Sequence, residues 1–445
     1  MSARETSSYK WADDLFRSSF ASDIGFTQLL ADEPHVVAAL EYEAARERLA
    51  TIHDFQERCI SLFRRALSDN DSELLHWLLN ETPRSYGLDY HRSLKDHHYT
   101  KPVFFRTDEI GFGKIAEIQC PGSLWGEMEL MYQRYRQLGF PVDGSSPALQ
   151  FATQLRDYLG AEPVVHYLVD NASIPAGVRY FIQQTRPEIR YWGIDRDVFA
   201  FRDTARACDT VCNFVRTHSF FGLCGDNFFR SRLYRSPAEV KYDFPPYVLF
   251  DQKATLVLPF WDKTRDYFTD EIRECIIYSA PICGDTIKLE CGREISLKAF
   301  SELPQSERDY YIKYAGTDVS INWGSRAVQR LRRDGSAACF KRLEQCVSDY
   351  RRGKVWLIQK AVAAKHHVAY TERSGEQKAE YLNTKYSFFY GPSDLIGAVL
   401  THSRRNIVHG QPDSVVNLLI SEKRCDEESN DTPDSAHEGI KSRET

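Results

Sequence analysis

Arg106, Asp108, Glu117 and Gln119 lie close together in FFRTDEIGFGKIAEIQCPGSLWG, residues 104 to 126, at a spacing that can do chemistry. The stretch reads as two short strands joined by the turn Gly111-Phe112-Gly113. Side chains alternate across a strand, so Arg106 and Asp108 share one face, and so do Glu117 and Gln119. If the hairpin closes, a cation, two carboxylates and an amide oxygen converge on one patch. Hard oxygen ligands of this kind suit Mg2+, which is usually held by one or two carboxylates plus a substrate's phosphates. The other reading is a half-exposed hairpin whose polar residues face water.

Three further segments carry candidate groups. In YYIKYAGTDVSINWGSRAV, residues 310 to 328, Lys313 sits in a strand ahead of a loop bearing Gly316, Thr317, Ser320 and Gly324. Such a loop can offer backbone N–H groups to phosphate oxygens, with the lysine as a point charge; a flexible hairpin with a snorkelling lysine fits equally. In YVLFDQKATLVLPFW, Lys253 falls in the first turn of a predicted helix capped by Asp251. There it opposes the helix dipole, which calls for an anion nearby unless the side chain is simply solvated. In KVWLIQKAVAAKHHVAY, the strand VWLIQ ends at Gln359, Lys360 and Ala361, whose backbone can meet an adenine edge; a buried central strand is the alternative.

The elements that position these groups are partly legible. Residues 1–95 read as a helical region, because HVVAALEYEAARERLATIHDFQERCISLFRRAL carries apolar positions at three- and four-residue spacing. Residues 96–150 hold the hairpin and the helix-like LWGEMELMYQRYRQLG. Residues 160–235 alternate strand, helix and strand, which predicts a small α/β unit with parallel strands. Residues 240–420 mix strands with a charged helix over 325–352. The tail, 421–445, has too few large apolar residues to order itself. The fold class expected is therefore α/β, or α+β.

Composition narrows the class. The chain has 445 residues and is 42% hydrophobic with a net charge of −6, which argues against a nucleic-acid binder. No apolar run is long enough to span a bilayer, and the polar N-terminus predicts a cytoplasmic protein. Eleven scattered cysteines, with Cys208, Cys212 and Cys224 near His218 as the tightest group, read as free thiols. The histidines of HRSLKDHH and the pair His366-His367 read as surface or loop residues, and His402 and His409 lie near the proposed site. A homodimer is left open.

The order and separation of these motifs resemble the ATP-grasp amide ligases, in the circularly permuted arrangement of glutathionylspermidine synthase. That family holds magnesium and ATP phosphates with R-x-D and E-x-N on neighbouring strands, matched by Arg106-x-Asp108 and Glu117-x-Gln119. Its n-K-a-x-x-x-L-W helix is similar to Asp251 through Trp261, its phosphate loop to Lys313 through Gly324, and its Y-I-x-Q hinge strand to Trp356 through Gln359. GPSDLIGAVLTHSRRNIVHGQPDSVVNLLI, residues 391 to 420, resembles its closing strands, with Arg404 or Arg405 as the phosphate-facing arginine. The resemblance covers roughly residues 100 to 420. Gln119 departs from the family's asparagine, tyrosine and alanine replace proline after Lys313, and the synthase's glutathione and spermidine elements and its amidase half are missing.

The resemblance implies an ATP-grasp fold with a small Rossmann-like unit at 160–235 and a grasp domain at 240–420. It implies a ligase that joins a carboxylate to an amine, each a small molecule unless a peptide or carrier protein takes one role. ATP and two Mg2+ ions are the implied cofactors. Asp108, Glu117 and Gln119 would hold metal, and Lys253 and Lys313 would clamp phosphates. Gly316 and Thr317 would line the loop, Gln359, Lys360 and Ala361 would meet the base, and Arg106 with Arg404 or Arg405 would balance charge on the transferring group.

Overall fold

Among the described residues, sheet precedes helix. In the computed structural model the described residues are 28–82, 87–94, 96–120, 124–142, 144–160, 163–168, 176–195, 213–217, 241–243, 247–250, 252–318, 321, 327–408 and 412–422. Two short strands, Leu29–Leu30 (β1) and His35–Val37 (β2), precede the helix Ala39–Asp69 (α1). The buried positions of α1, among them Leu49, Ile52, Phe55, Cys59, Phe63 and Ala66, recur at three- and four-residue steps. It ends at Asn70, whose φ of 54° is the left-handed stop that asparagine tolerates. Ser72–Leu79 (α2) starts where the Asp71 side chain accepts a hydrogen bond from Leu74 N, and Leu88–Ser93 (α3) follows.

Phe105–Glu109 (β3) and Ile115–Gln119 (β4) form the expected hairpin, then Trp125–Gln137 (α4) and Pro147–Leu159 (α5). Val164–Leu168 (β5), Ala176–Thr185 (α6), Arg190–Asp195 (β6), Asn213–Thr217 (β7) and Lys241–Tyr242 (β8) make the small unit. Its strands are parallel in the order β6-β5-β7-β8, as the strand–helix–strand alternation predicts.

After Asp270–Cys275 (α7) come Ser279–Pro281 (β9), the pair Thr286–Lys288 (β10) and Glu294–Ser296 (β11), and Leu297–Glu302 (α8). Tyr310–Tyr314 (β12), Val328–Arg330 (β13), Ser336–Tyr350 (α9) and Trp356–Lys360 (β14) complete a four-stranded sheet in the order β13-β12-β14-β9. The last strands are Lys365–Thr371 (β15), Gln377–Tyr390 (β16), Leu395–Ser403 (β17) and Val415–Ser421 (β18). They build a large sheet in the order β1-β18-β17-β16-β3-β4, with β15 also on β16 and β2 also on β18. It is mixed, since β1 and β2 run parallel to β18 while the other pairs are antiparallel.

Period-two alternation splits the large sheet's contacts. Tyr386, Phe388 and Tyr390 pack with α1 and residues 247–276, whereas Phe389 packs with Trp125, Met128 and Phe151 of α4 and α5. A third core joins the four-stranded sheet to α8 and α9.

Several expectations change. The N-terminal segment is not a region of its own, because β1 and β2 extend the large sheet and α1 shares a core with β3, β4 and β16. The expected helix over 325–352 is instead β13, a short turn and α9, since Val328 to Arg330 pair with β12. The expected helix at Lys253 is a single 3-10 turn, Ala254–Val257, with Lys253 at its N-terminal edge and no side-chain cap there. Asp251 lies outside the described residues, as do the Cys208, Cys212, Cys224 and His218 group, Ser320, Gly324, His409 and residues 423–445. His91 is buried against Phe63 rather than at the surface. The described cysteines are all free thiols, and no helix of the described residues is long and apolar enough to cross a membrane.

Candidate functional site

The hairpin turn dictates where its charges go. Gly111 and Gly113 have φ of +77° and +83°, values that a side chain makes costly, and between them they fold β4 back on β3. The register sets Arg106 opposite Gln119 and Asp108 opposite Glu117. All four therefore share one face, as the alternation predicts. On the other side of β3, Ser387 of β16 stands opposite Asp108, and Lys385 lies two residues away on the same face. Glu109 points to the opposite face, where Arg48 of α1 pairs with it at 2.8 Å.

Asp108 is buried and heavily engaged. Its Oδ1 accepts from Arg106 Nε at 2.9 Å and from Ser387 Oγ at 2.8 Å. Its Oδ2 accepts from Arg106 Nη2 at 3.1 Å and from Lys385 Nζ at 2.7 Å. Burial pushes the carboxyl up, but Arg106 and Lys385 outweigh it and hold Asp108 well below the usual carboxylate range. Glu117 follows the same logic: burial raises it, and Lys253, 2.8 Å from Oε1, brings it below its ordinary value. Gln119 turns its amide nitrogen toward the carboxylates, 3.3 Å from Glu117 Oε1 and 3.5 Å from Asp108 Oδ2.

Lys313 reaches the same patch from β12. Its Nζ lies 3.5 Å from the Ala116 carbonyl and makes no ion pair with a described residue. Burial lowers its pKa to about 8, against the pull of Glu117. Four cations (Arg106, Lys253, Lys313 and Lys385) thus gather with Asp108 and Glu117, and Glu127 of α4 also interacts with Arg106.

Gln359 of β14 sits at the same seam, its Nε2 donating to Ala116 O at 3.2 Å and Ser279 Oγ at 3.1 Å. The adenine-edge expectation for its neighbours loses two of the backbone N–H groups it counted on. The N–H of Lys360 donates to Tyr278 O and that of Ala361 to Asp309 O, each at 2.9 Å, so both donors are spent on neighbouring chain. The Lys360 side chain lies over the Tyr310 ring and 3.6 Å from Glu290. A cavity of about 320 Å³ opens at this end of β14, lined in part by Phe260, Ile277, Tyr278, Leu289, Lys360 and Val362.

Other expected residues are placed elsewhere. Thr317 donates to Asn80 Oδ1 at 3.3 Å, and a Cβ on Gly316 would meet the Tyr314 hydroxyl at 2.4 Å, so this part of the loop packs against the end of α2. Arg404 binds Glu380, Glu372 and the Tyr370 hydroxyl. Arg405 binds Asp413 at 3.0 Å. Acidic partners on the exposed ends of β15 to β18 therefore hold both arginines, and neither bonds to the cluster. His402 is buried within the sheet between Thr384 and Asn417, and burial lowers its pKa to about 4.

Lys385 and Ser387 are the residues that sequence reasoning misses. Their signal is the alternation K-Y-S-F over 385–388 in β16, polar at 385 and 387 and aromatic at 386 and 388, but nothing local names β3 as the neighbouring strand. Among the described residues no three His, Cys, Asp or Glu side chains gather as a metal-ligand group. The hard oxygens of the cluster are those of Asp108, Glu117 and, after an amide rotation, Gln119.

No family model matches the chain, and no curated protein matches it. Among solved structures the chain is similar to a glutathione synthetase-like effector from Globodera pallida, determined in apo form, at 12% sequence identity and a TM-score of 0.51. The match covers 93% of this chain and 96% of that one. The likeness is one of fold: a mixed α/β body built on a large mixed sheet, similar to a glutathione synthetase-like structure.

Proposed function

We propose that this chain is an ATP- and Mg2+-dependent carboxylate–amine ligase of the ATP-grasp kind, releasing ADP and phosphate. The observation that carries this reading is the cluster itself: three lysines and an arginine gathered around Asp108 and Glu117, buried or half-buried, where the hairpin meets the sheet of β12 and β14. Such a patch suits a polyphosphate, whose oxygens accept charge-assisted bonds from lysine and arginine.

Lys313, lacking an ion-pair partner among the described residues, and Lys253 bind phosphate oxygens. Arg106, aimed by its two bonds to Asp108, offsets charge on the transferring phosphoryl group. Of the expected metal ligands, Glu117 keeps Oε2 clear of described donors, whereas all of the ordinary acceptor positions of Asp108 are filled. Glu117 with Gln119 is the pair that would hold Mg2+, whose positive charge would serve the transferring γ-phosphoryl group. In the reaction a substrate carboxylate oxygen attacks the γ-phosphorus and ADP leaves. An amine then attacks the acyl carbon, loses a proton and expels phosphate. No protein nucleophile is required. The substrates are a small carboxylic acid and an amine, one of them replaceable by a peptide or carrier protein.

A second reading, nucleotide binding without turnover, draws support from the saturation of Asp108. One assay separates the two: incubation with ATP, Mg2+ and a panel of acids and amines. ADP and phosphate released only when acid and amine are both present support the ligase. Binding without turnover on every pair supports the second reading, a stable phosphorylated product indicates a kinase, and AMP with pyrophosphate rules out the proposal.

A further inference from the structure

We infer that Lys385 is a resident cation of the nucleotide site, standing on Asp108 where a metal ion would otherwise bind. The inference rests on the nucleotide reading above and adds a prediction of its own: phosphate binding here does not depend on a divalent metal.

A carboxylate offers about four acceptor positions. Those of Asp108 take Arg106 Nε and Ser387 Oγ on Oδ1, and Arg106 Nη2 and Lys385 Nζ on Oδ2. The lysine contact is the shortest of the four at 2.7 Å, within the range of a charge-assisted bond. A Mg2+ ion approaching Oδ2 at its usual distance of about 2.1 Å would have to displace that ammonium. The Lys385 side chain is 15% exposed and Asp108 only 5%, so little water competes for the pair.

Position supports the role. Lys385 projects from the central strand of the large sheet, β16, which pairs with β3 and β17 along its C-terminal half. The ammonium is thus fixed by the sheet rather than by a loop, and a lysine carries two further N–H donors beyond the one spent on Asp108. Those donors are available to a phosphate oxygen. Asp108 then works as a positioning residue that aims two cations, Arg106 and Lys385, and not as a metal ligand.

The test is ADP binding by calorimetry, with Mg2+ and with EDTA, for the full chain and for Lys385→Met and Lys385→Arg. Thermal melts serve as the folding control. In the unaltered protein the two dissociation constants should agree within about threefold, a small step on the affinity scale. Lys385→Met should weaken EDTA binding by about tenfold or more, the loss of one charge-assisted contact. Mg2+ should restore much of that loss, because Asp108 then has an open position. Lys385→Arg, which keeps the charge, should behave like the parent and carries the test if Lys385→Met does not fold. Binding that strictly requires Mg2+ in the parent, with Lys385→Met indistinguishable from it, overturns the inference and leaves the nucleotide site standing. Absence of ADP binding in both buffers overturns the nucleotide reading and the inference with it.

Discussion

Lys253 Nζ lies 2.8 Å from Glu117 Oε1, joining the 3-10 turn after residue 252 to the second strand of the hairpin. Lys253 is 9% exposed and Glu117 23%, so the pair is shielded from most of the screening that weakens surface pairs. Glu117→Gln should lose this charge-assisted contact and cost about 2 kcal/mol, read by urea unfolding. Lys253→Met alone should cost a similar amount. The double variant should be more stable than the two single losses added together, because neither charge is then stranded. Strict additivity would show that the two side chains do not act as a pair.

Under the proposed nucleotide reading, Lys313 should make the affinity pH-dependent. In the free protein its pKa is lowered to about 8 by burial. A bound phosphate favours the charged form and raises that value, so binding takes up a proton once the free lysine has lost its own. Affinity should hold below about pH 8 and weaken as pH rises through that value toward the higher pKa of the complex. The ligand-free protein shows the opposite trend. Its folded-state lysine deprotonates before the unfolded one, so stability should rise with pH between about 8 and the ordinary 10.5. ADP titrations and melts across pH 7 to about 10, with Lys313→Met as a flat reference in both, check the two trends. A profile in which Lys313→Met keeps the parent's slope would assign the titration to another group.

The hairpin is legible in the sequence because its signal is local. Two glycines at the turn and a period of two on either side place Arg106, Asp108, Glu117 and Gln119 on one face without reference to the rest of the chain. Lys313 is legible for a similar reason, lying in an alternating strand. Lys385 is not, because its partner lies 277 residues earlier and only the pairing of β16 with β3 brings them together. The run LVLPFW reads as a helix by apolar content, yet the chain turns after Val257, where Phe260 and Trp261 both donate their N–H to its carbonyl. Arg404 and Arg405 look available because sequence shows their charge and hides Glu372, Glu380 and Asp413, which hold them.

The N-terminal segment is load-sharing, which a truncation can test. Phe55, Phe63 and Trp77 are at most 1% exposed, and they pack in the same core as Phe105, Ile115, Tyr386 and Phe388. Removing residues 1–95 would expose that face of the sheet, and each large side chain taken from a core costs about 3 kcal/mol or more. The truncated chain should be insoluble or lack a cooperative thermal transition by circular dichroism. A soluble truncation with the parent's melt would restore the picture of a separable helical region.

Arg404 and Arg405 provide the contrast with the buried cations. Their side chains are 57% and 58% exposed, and each is held by carboxylates at the sheet's outer end rather than by the cluster. Exposed pairs of this kind contribute about 0 to 1 kcal/mol, so Arg404→Ala and Arg405→Ala should shift stability little. ADP affinity should stay within about twofold of the parent, a difference near the limit of a binding measurement. Lys253→Met, measured beside them, removes a buried cation from the cluster and should weaken ADP binding by about tenfold. A tenfold loss on Arg405→Ala with Lys253→Met unaffected would move the phosphate site to the ends of β17 and β18.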